Sequence, residues 1–115
     1  FRIKSSVFKR YLDLNFPKHR YKKFIKDIVN GTLERNEVIN NEINLHLRED
    51  IDLRRIDKVF EVILRSAIFE LLYKPTTSSN IIIKEYLNAS NFFIDLSQTK
   101  FLNAVLDKLS KKIRG

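Results

Sequence analysis

The sequence predicts an all-α protein, a compact bundle of four to five helices that forms one domain over residues 1–115. The first observation is the stretch VILRSAIFELL at residues 62–72, in which eight of eleven residues are apolar. A helix that is apolar nearly all round must be covered on several sides, so this segment is predicted to be the central helix. The second observation is that two glycines and two prolines are too few for the frequent turns of an all-β chain.

Two helical segments are predicted before the central helix. Residues 1–16 follow a helix-compatible pattern that Pro17 ends, because the residue before a proline is pushed out of the helical region. From about residue 18 to residue 47 an apolar repeat predicts one long helix, straight or kinked, in which Gly31 either admits a close neighbouring helix or marks a break. Residues 48–50 are predicted to turn, and Asp52 is predicted to be the N-cap of the central helix.

The charged residues of the central helix have partners at helical spacing. Glu61 lies four residues before Arg65, and Glu70 lies four residues before Lys74. In both pairs the acid precedes the base, which is the more favourable order and contributes about 0.3 kcal/mol per pair. The helix is predicted to end at about Tyr73.

A further helix is predicted after a connection at residues 74–77. Ser78 or Ser79 is expected to cap it, and it runs to Phe93. Its three isoleucines at residues 81–83 would also suit a short strand, but no partner strand is predicted elsewhere in the chain.

The last predicted helix, with Ser97 as its cap, carries the most informative surface. Its core stripe consists of Leu102, Val105, Leu106, Leu109 and Ile113. Phe101 lies about 100° from the centre of that stripe, close to Lys108 on the helical wheel. Lys100 precedes it, and Asn103 lies on the polar side. An aromatic ring at the edge of a basic surface can stack on an unpaired base while lysines contact phosphate. Residue type alone favours the alternative, in which the ring packs under the preceding helix.

The net charge of +8 is concentrated at the two ends of the chain. Residues 1–26 carry nine basic residues and one acid, and residues 108–115 carry four basic residues and no acid. The segment between them has nine basic and thirteen acidic residues. Basic ends on a nearly balanced body indicate an edge that faces a polyanion, although ends that are merely solvated give the same pattern.

The residues of common catalytic and metal sites are absent or isolated. His19 and His46 stand alone, and the chain has no cysteine. Gly31 and Gly115 are the only glycines, so phosphate-cradling and dinucleotide-binding loops are absent. We therefore expect no enzyme activity, no cofactor and no bound metal. The lack of cysteine suits a reducing cytoplasm, and apolar runs of at most three residues predict no membrane span.

Three stretches in the second half of the chain occur in a familiar order: ILRSAIFELL, IIIKEYLNAS and KFLNAVLDKL. They resemble the NusB family of bacterial transcription antitermination factors, whose pattern is an ILR-x-A-x-(Y/F)-E-L helix, a short loop, an I-N-E helix and F-V-N-x-V-L-D. The resemblance covers residues 24–114. Three positions depart from it: Ser78 stands at the family's loop proline, Lys84 at its asparagine, and Ala104 where glycine is common.

The resemblance implies an all-helical fold and a role in bacterial ribosomal RNA transcription. It implies binding to the single-stranded boxA element of ribosomal leader RNA, jointly with the ribosomal protein NusE, in the antitermination complex of RNA polymerase. Phe101 matches the family's RNA-facing aromatic, which reverses the preference stated above, and Lys100 and Asn103 flank it in the same motif. With Lys108 they form the predicted RNA-binding set.

The resemblance also bears on partners and on the start of the chain. Arg65 matches a motif position in the central helix, so Arg65 with Glu61 is a candidate for contacting a protein partner, beside the structural role described above. The family begins with an arginine-rich helix that does not precede Phe1 here, so the chain is expected to lack that first helix. Because related proteins occur as monomers and as dimers, a homodimer stays open.

Two other function classes remain open at this point. The domain could be the NusB-like accessory module of an RNA methyltransferase, in which case the intact reading frame would be several hundred residues long. It could also be a purely protein-binding helical scaffold, which would bind the ribosomal protein without an RNA footprint on the basic edge.

Overall fold

The computed structural model describes residues 19–115, and it describes side chains from Lys26 onward. This part of the chain forms five helices and no strand, which confirms the predicted all-α class. The helices are α1 (His19–Glu34), α2 (Asn36–Leu47), α3 (Lys58–Tyr73), α4 (Ser79–Ser90) and α5 (Leu96–Arg114). The segment at residues 81–83 lies inside α4 and is therefore helical. The helix predicted at residues 1–16 and its end at Pro17 lie outside the described residues.

The core is built around α3, as its nearly continuous apolar circumference predicts. Every residue from Val62 to Leu71 is buried, and α3 packs against each of the other four described helices. The four leucine and valine residues of the predicted α5 stripe are buried, whereas Ile113 is only partly buried. Helix α5 therefore presents one apolar face to the core and leaves its other face to solvent.

The single long helix predicted over residues 18–47 is wrong, because the chain breaks at Arg35. Arg35 has φ −102° and ψ 21°, and its amide closes the last turn of α1 while its carbonyl accepts the first bond of α2. Its guanidinium carbon lies 5.0 Å from the ring centroid of Tyr73 in α3. One non-helical residue thus separates α1 from α2, and both helices pack against α3.

Gly31 admits a close neighbouring helix and does not mark the break. A Cβ atom at this position would overlap three ring carbons of Phe69 in α3. A glycine within a helix costs about 1 kcal/mol relative to alanine. Here that cost accompanies the close packing of α1 on the central helix, which a larger residue would prevent.

The N-cap of α3 is Asp57, five residues after the Asp52 predicted from the sequence. The Asp57 carboxylate accepts hydrogen bonds from the amides of Val59 at 2.8 Å and Phe60 at 3.2 Å. Asp52 instead stabilises the turn before α3, because its carboxylate accepts from the amide and the side chain of Arg54. These bonds lower the pKa of Asp52, with the side-chain bond from Arg54 as the main cause.

At the ends of the last two helices, one predicted boundary is confirmed and two are corrected. Ser78 caps α4, but α4 ends at Ser90 and not at Phe93. Helix α5 is capped by Asp95, whose carboxylate accepts from the amide of Gln98 at 2.8 Å in a capping box. The predicted cap Ser97 lies within α5 and donates its hydroxyl to the Asp95 carboxylate. The predicted site was therefore two residues too late.

Arg114 joins the C-terminal turn of α5 to the C-terminal end of α3. Its guanidinium donates to the carbonyls of Glu70 (3.2 Å), Leu71 (2.9 Å), Lys74 (2.9 Å) and Thr77 (2.5 Å). The last carbonyls of a helix have no partner within the helix, so a cation at this position both bonds them and stabilises the negative end of the helix dipole.

Glu70 is buried near the C-terminal end of α3. Its predicted ion pair with Lys74 does not form: the ion pairs among the described residues do not include these two side chains. Burial raises the pKa of Glu70. A side-chain hydrogen bond with Tyr86 opposes the shift, the charge of Glu85 adds to it, and the charges of Lys74 and Arg114 oppose it. Lys74 thus acts on this carboxyl through its charge alone.

Candidate nucleic-acid interface

Helices α3 and α5 lie side by side and run in the same direction. Near their first turns, the rings of Phe60 and Phe101 stack with centroids 5.7 Å apart and an interplanar angle of 19°. Near their last turns, Arg114 bonds the carbonyl of Leu71. The solvent face of α5 therefore begins beside the N-terminal end of α3.

Phe101 combines the two roles that the sequence left open. Its ring packs on Phe60, which is 2% exposed, yet Phe101 itself remains 39% exposed. The neighbour beneath it belongs to α3 and not to the preceding helix. The ring is thus held in a defined orientation on the surface, which is the arrangement that stacking on a base requires.

The other three predicted RNA-binding residues share the solvent face of α5. Lys100, Asn103 and Lys108 are all exposed. Because a helix advances by about 100° per residue, Phe101 and Lys108 project in nearly the same direction, and Lys100 and Asn103 lie progressively further round. Phe101 and Lys108 form the edge of this face that borders α3 and the turn after α2. We call the set of Lys100, Phe101, Asn103 and Lys108 the α5 surface.

Lys108 is already bonded to a carboxylate. Its Nζ atom lies 2.7 Å from Oδ2 of Asp50, which is 58 residues away in the turn that follows α2. Sequence reasoning treated Asp50 only as a turn residue. No local pattern predicts this pair, since it depends on how the turn is packed beside α5.

Arg65 and Glu61, the candidates for contact with a protein partner, lie in the interior between α2 and α3. Arg65 is 5% exposed, and its guanidinium donates to Oδ1 of Asn36 at 3.1 Å and Oδ1 of Asn40 at 2.6 Å. It also donates to Oε1 of Glu61 at 3.4 Å, which confirms the predicted pair. The pair connects α2 to α3 and lies apart from the α5 surface. Its partner role stays a prediction.

Nothing in the described part of the chain forms a metal site or a membrane span. No group of three or more histidine, cysteine or acidic residues is placed to hold a metal ion between residues 19 and 115. The His46 Nε2 atom lies 3.1 Å from the Glu42 carboxylate, one helical turn earlier. None of the five helices is both long enough and apolar enough to cross a bilayer.

Comparison with known proteins identifies the family. A model of the NusB family matches residues 3–111, which is nearly the whole chain. The chain belongs to the NusB family. The motifs that carried the resemblance thus fall within one continuous match, and the family's all-α fold agrees with the five helices described above.

Curated relatives in the NusB family are named transcription antitermination proteins. The chain is 28% identical over 92 residues to transcription antitermination protein NusB of Bradyrhizobium diazoefficiens, a match that covers 80% of the chain and 56% of that protein. It is 37% identical over 89 residues to the protein of the same name from Lysinibacillus sphaericus, covering 77% of the chain and 69% of that protein. The NusB protein of Rhizobium etli is 33% identical over 92 residues, with 80% and 58% covered.

The match covers little more than half the length of most of these relatives. No solved structure gives a significant match.

Proposed function

We propose that this chain acts in bacterial transcription antitermination as a non-catalytic RNA-binding protein. It binds boxA-type single-stranded RNA of ribosomal leaders together with the ribosomal protein NusE, as part of the RNA polymerase antitermination complex. The family match and the printed names of the relatives support this role. They also favour it over the accessory module of an RNA methyltransferase.

The observation that carries the RNA-binding part of the proposal is the placement of Phe101. A ring supported from below by a buried phenylalanine and exposed above offers a stacking platform to an unpaired base. Stacking of one base on an aromatic side chain is worth about 1–3 kcal/mol and tolerates any base. Sequence preference therefore has to come from other groups on the α5 surface, and Lys100 and Asn103 are the candidates for that role.

Electrostatics supports the same surface. Helix α5 ends in Lys111, Lys112 and Arg114, and Lys108 precedes them on the solvent side. Segment 1–26 carries a net charge of +8, and its nine basic residues are expected to strengthen RNA binding further. Arg114 is the exception, since its guanidinium is bonded to backbone carbonyls and supports α3.

A titration of the whole chain with fluorescently labelled boxA-type RNA tests the proposal. The competitor is an RNA of the same composition in permuted order. We expect tighter binding of the boxA-type RNA, and a loss of roughly 5- to 150-fold on changing Phe101→Ala, which corresponds to about 1–3 kcal/mol of stacking. Equal affinity of Phe101→Ala and the unchanged protein would remove Phe101 from the interface.

Tyr73→Ala is the matched control for Phe101→Ala. Tyr73 is 37% exposed, close to the value for Phe101, but it lies at the opposite end of α3. The two positions are separated by roughly 20 Å along the helix axis. We expect Tyr73→Ala to change RNA affinity less than about twofold, well below the stacking loss.

Binding of the unchanged chain to NusE with no binding to either RNA would instead identify a protein-binding scaffold.

The salt dependence of the same titration reports on the lysines. Each phosphate contact made with single-stranded RNA contributes about 0.7 to the slope of log affinity against log salt. Lys108→Gln and Lys100→Gln are each expected to lower the slope by about that amount. A slope that stays unchanged in both variants would show that the phosphate contacts lie elsewhere on the chain.

Sedimentation of the whole chain over a range of concentrations would decide whether it forms a homodimer.

A further inference from the structure

The strongest unexplained contact on the α5 surface is the bond between Lys108 and Asp50. Among ion pairs of the described residues, it is the one that joins segments far apart in sequence; the others span two to four residues. Both side chains are partly exposed, at 44% for Lys108 and 35% for Asp50. A ligand arriving from solvent can therefore reach the ammonium group.

We propose that Asp50 occupies Lys108 in place of an RNA phosphate, so that Asp50 is an affinity-setting residue of the RNA-binding surface. The inference rests on the proposed function. A carboxylate oxygen and a phosphate oxygen are equivalent acceptors for an ammonium group, and both form short charge-assisted bonds with it. RNA binding at Lys108 then requires the carboxylate to give way.

The contacts of Asp50 indicate that its carboxylate can leave Lys108 without disturbing the fold. Its side chain bonds to Lys108 alone among the described residues, and its amide continues the turn by donating to the Leu47 carbonyl. Asp52, two residues later, provides the contrast, because its carboxylate accepts from the backbone and the side chain of Arg54 and lies 3.6 Å from Nε of Arg55. Removal of Asp52 would disturb the turn, whereas the turn does not depend on the carboxylate of Asp50.

The geometry also makes Asp50 repel a bound phosphate. A phosphate within bonding distance of Lys108 would lie a few ångströms from the Asp50 carboxylate, well inside the screening length of about 8 Å at physiological salt. Two effects therefore lower the affinity of the unchanged protein: the pair has to be broken, and the released carboxylate stays close to the phosphate. Asp50→Asn removes both effects and keeps the size of the side chain.

The test is a double-mutant cycle read by titration with boxA-type RNA. The four proteins are the unchanged chain, Asp50→Asn, Lys108→Gln and the double variant. We expect Asp50→Asn to bind about three- to tenfold more tightly than the unchanged chain. In the Lys108→Gln background only the repulsion is relieved, so the gain from Asp50→Asn is expected to be at least about twofold smaller.

Glu49→Gln is the matched control, because Glu49 is an exposed neighbour in the same turn and makes no ion pair with a described residue. Equal gains from Asp50→Asn in the two backgrounds would overturn the inference, and so would an equal gain from Glu49→Gln. Asp50→Ser is a second variant without the carboxylate, and its thermal unfolding is compared with that of Asp50→Asn. The comparison shows whether asparagine itself disturbs the turn. If the unchanged chain binds and Asp50→Asn binds no better, the inference fails while the proposed function stands. If no variant binds RNA, both fail.

Discussion

The two ends of α3 differ in what their side chains contact. At the N-terminal end, Asp57 caps the helix from an exposed position and Phe60 supports the half-exposed ring of Phe101. At the C-terminal end, Phe69 packs against Gly31 of α1, and Arg114 bonds four backbone carbonyls. One end thus supports a surface that faces solvent, and the other is fastened to two neighbouring helices.

This difference suggests that fold stability and RNA recognition depend on opposite ends of α3. Fold stability depends most on the C-terminal end of α3, where close packing and backbone bonds hold three helices together. Recognition is proposed for the N-terminal end, where the ring of Phe101 is partly exposed above the buried Phe60. Because the two ends of α3 are roughly 20 Å apart and share none of these contacts, substitutions at one end are expected to act independently of those at the other. Substitutions that change stability or RNA affinity alone would support this division, and a substitution that changes both would contradict it.

The largest expected effect is that of Gly31→Ala. The new methyl group would overlap the Phe69 ring, so the ring or α1 must shift, and overpacking of this kind costs about 2 kcal/mol even after the gain in helix propensity. Urea unfolding measures the loss, and Asn30→Ala on the exposed neighbouring position is the control. An unfolding free energy equal to that of the unchanged chain would show that α1 is not packed closely on α3.

Arg114→Gln is expected to have the next largest effect. It removes a cation that bonds the last carbonyls of α3, and we expect a loss of about 1–2 kcal/mol in the free energy of unfolding. Lys112→Gln, an exposed neighbour in α5, should change stability by less than about 0.5 kcal/mol. RNA affinity measured well below the unfolding transition should fall no further in Arg114→Gln than in Lys112→Gln. A larger loss of affinity in Arg114→Gln would break the separation of the two ends.

Asp57→Ala tests the N-terminal end and is expected to cost about 1 kcal/mol, the usual contribution of a side-chain N-cap. Asp57→Asn keeps an acceptor at the same place and should stay close to the unchanged chain. If Asp52→Ala destabilised the helix more than Asp57→Ala, the cap assignment from the structure would be contradicted. The two variants thus distinguish the observed cap from the one predicted by the sequence pattern.

Glu70→Gln is expected to have the smallest effect and the opposite sign. Burial raises the pKa of Glu70 above its ordinary value of 4.5, so the folded state binds the proton more readily than the unfolded state. The ionised carboxyl therefore destabilises the fold at neutral pH, and this penalty disappears as the pH falls through the raised pKa towards 4.5. Glu70→Gln should be more stable at pH 7, by less than about 1 kcal/mol, and lose that advantage in acid.

Urea unfolding of Glu70→Gln over a series of pH values measures this difference. Glu49→Gln, on the exposed turn, is expected to show no comparable advantage. An advantage of Glu70→Gln that grew as the pH fell would contradict the assigned direction of the shift.

Sequence reasoning predicted the fold class and the central helix because both depend on local apolar patterns. Residues 62–72 can be buried only by surrounding helices, whatever their order in space. The sequence left a break open at Gly31 but did not place it at Arg35, because the contact between Arg35 and the ring of Tyr73 joins residues far apart in sequence. Two of the three caps were misplaced, by five residues at Asp57 and by two at Asp95, since several acids and serines near a helix start fit the same rule.

For the candidate site, helical periodicity placed Phe101 and Lys108 on one face of α5, and the structure agrees. The residues that touch them, Phe60 and Asp50, were not predicted as site residues. Phe60 looks like any core residue of α3, and Asp50 like any turn residue. Their roles arise from contacts across 41 and 58 positions of sequence, which no local pattern encodes.

The stack of Phe101 on Phe60 links a surface position to the hydrophobic core. A base bound on Phe101 would extend a column of rings from solvent into the interior, so that RNA binding and thermal stability become coupled quantities. Under the proposed function, we expect Phe60 substitutions to weaken RNA binding alongside those at Phe101, although Phe60 is far too buried to touch RNA. Ligand-induced shifts in melting temperature would separate the two groups, because the shift is lost when the surface ring is removed and retained when only its support is weakened.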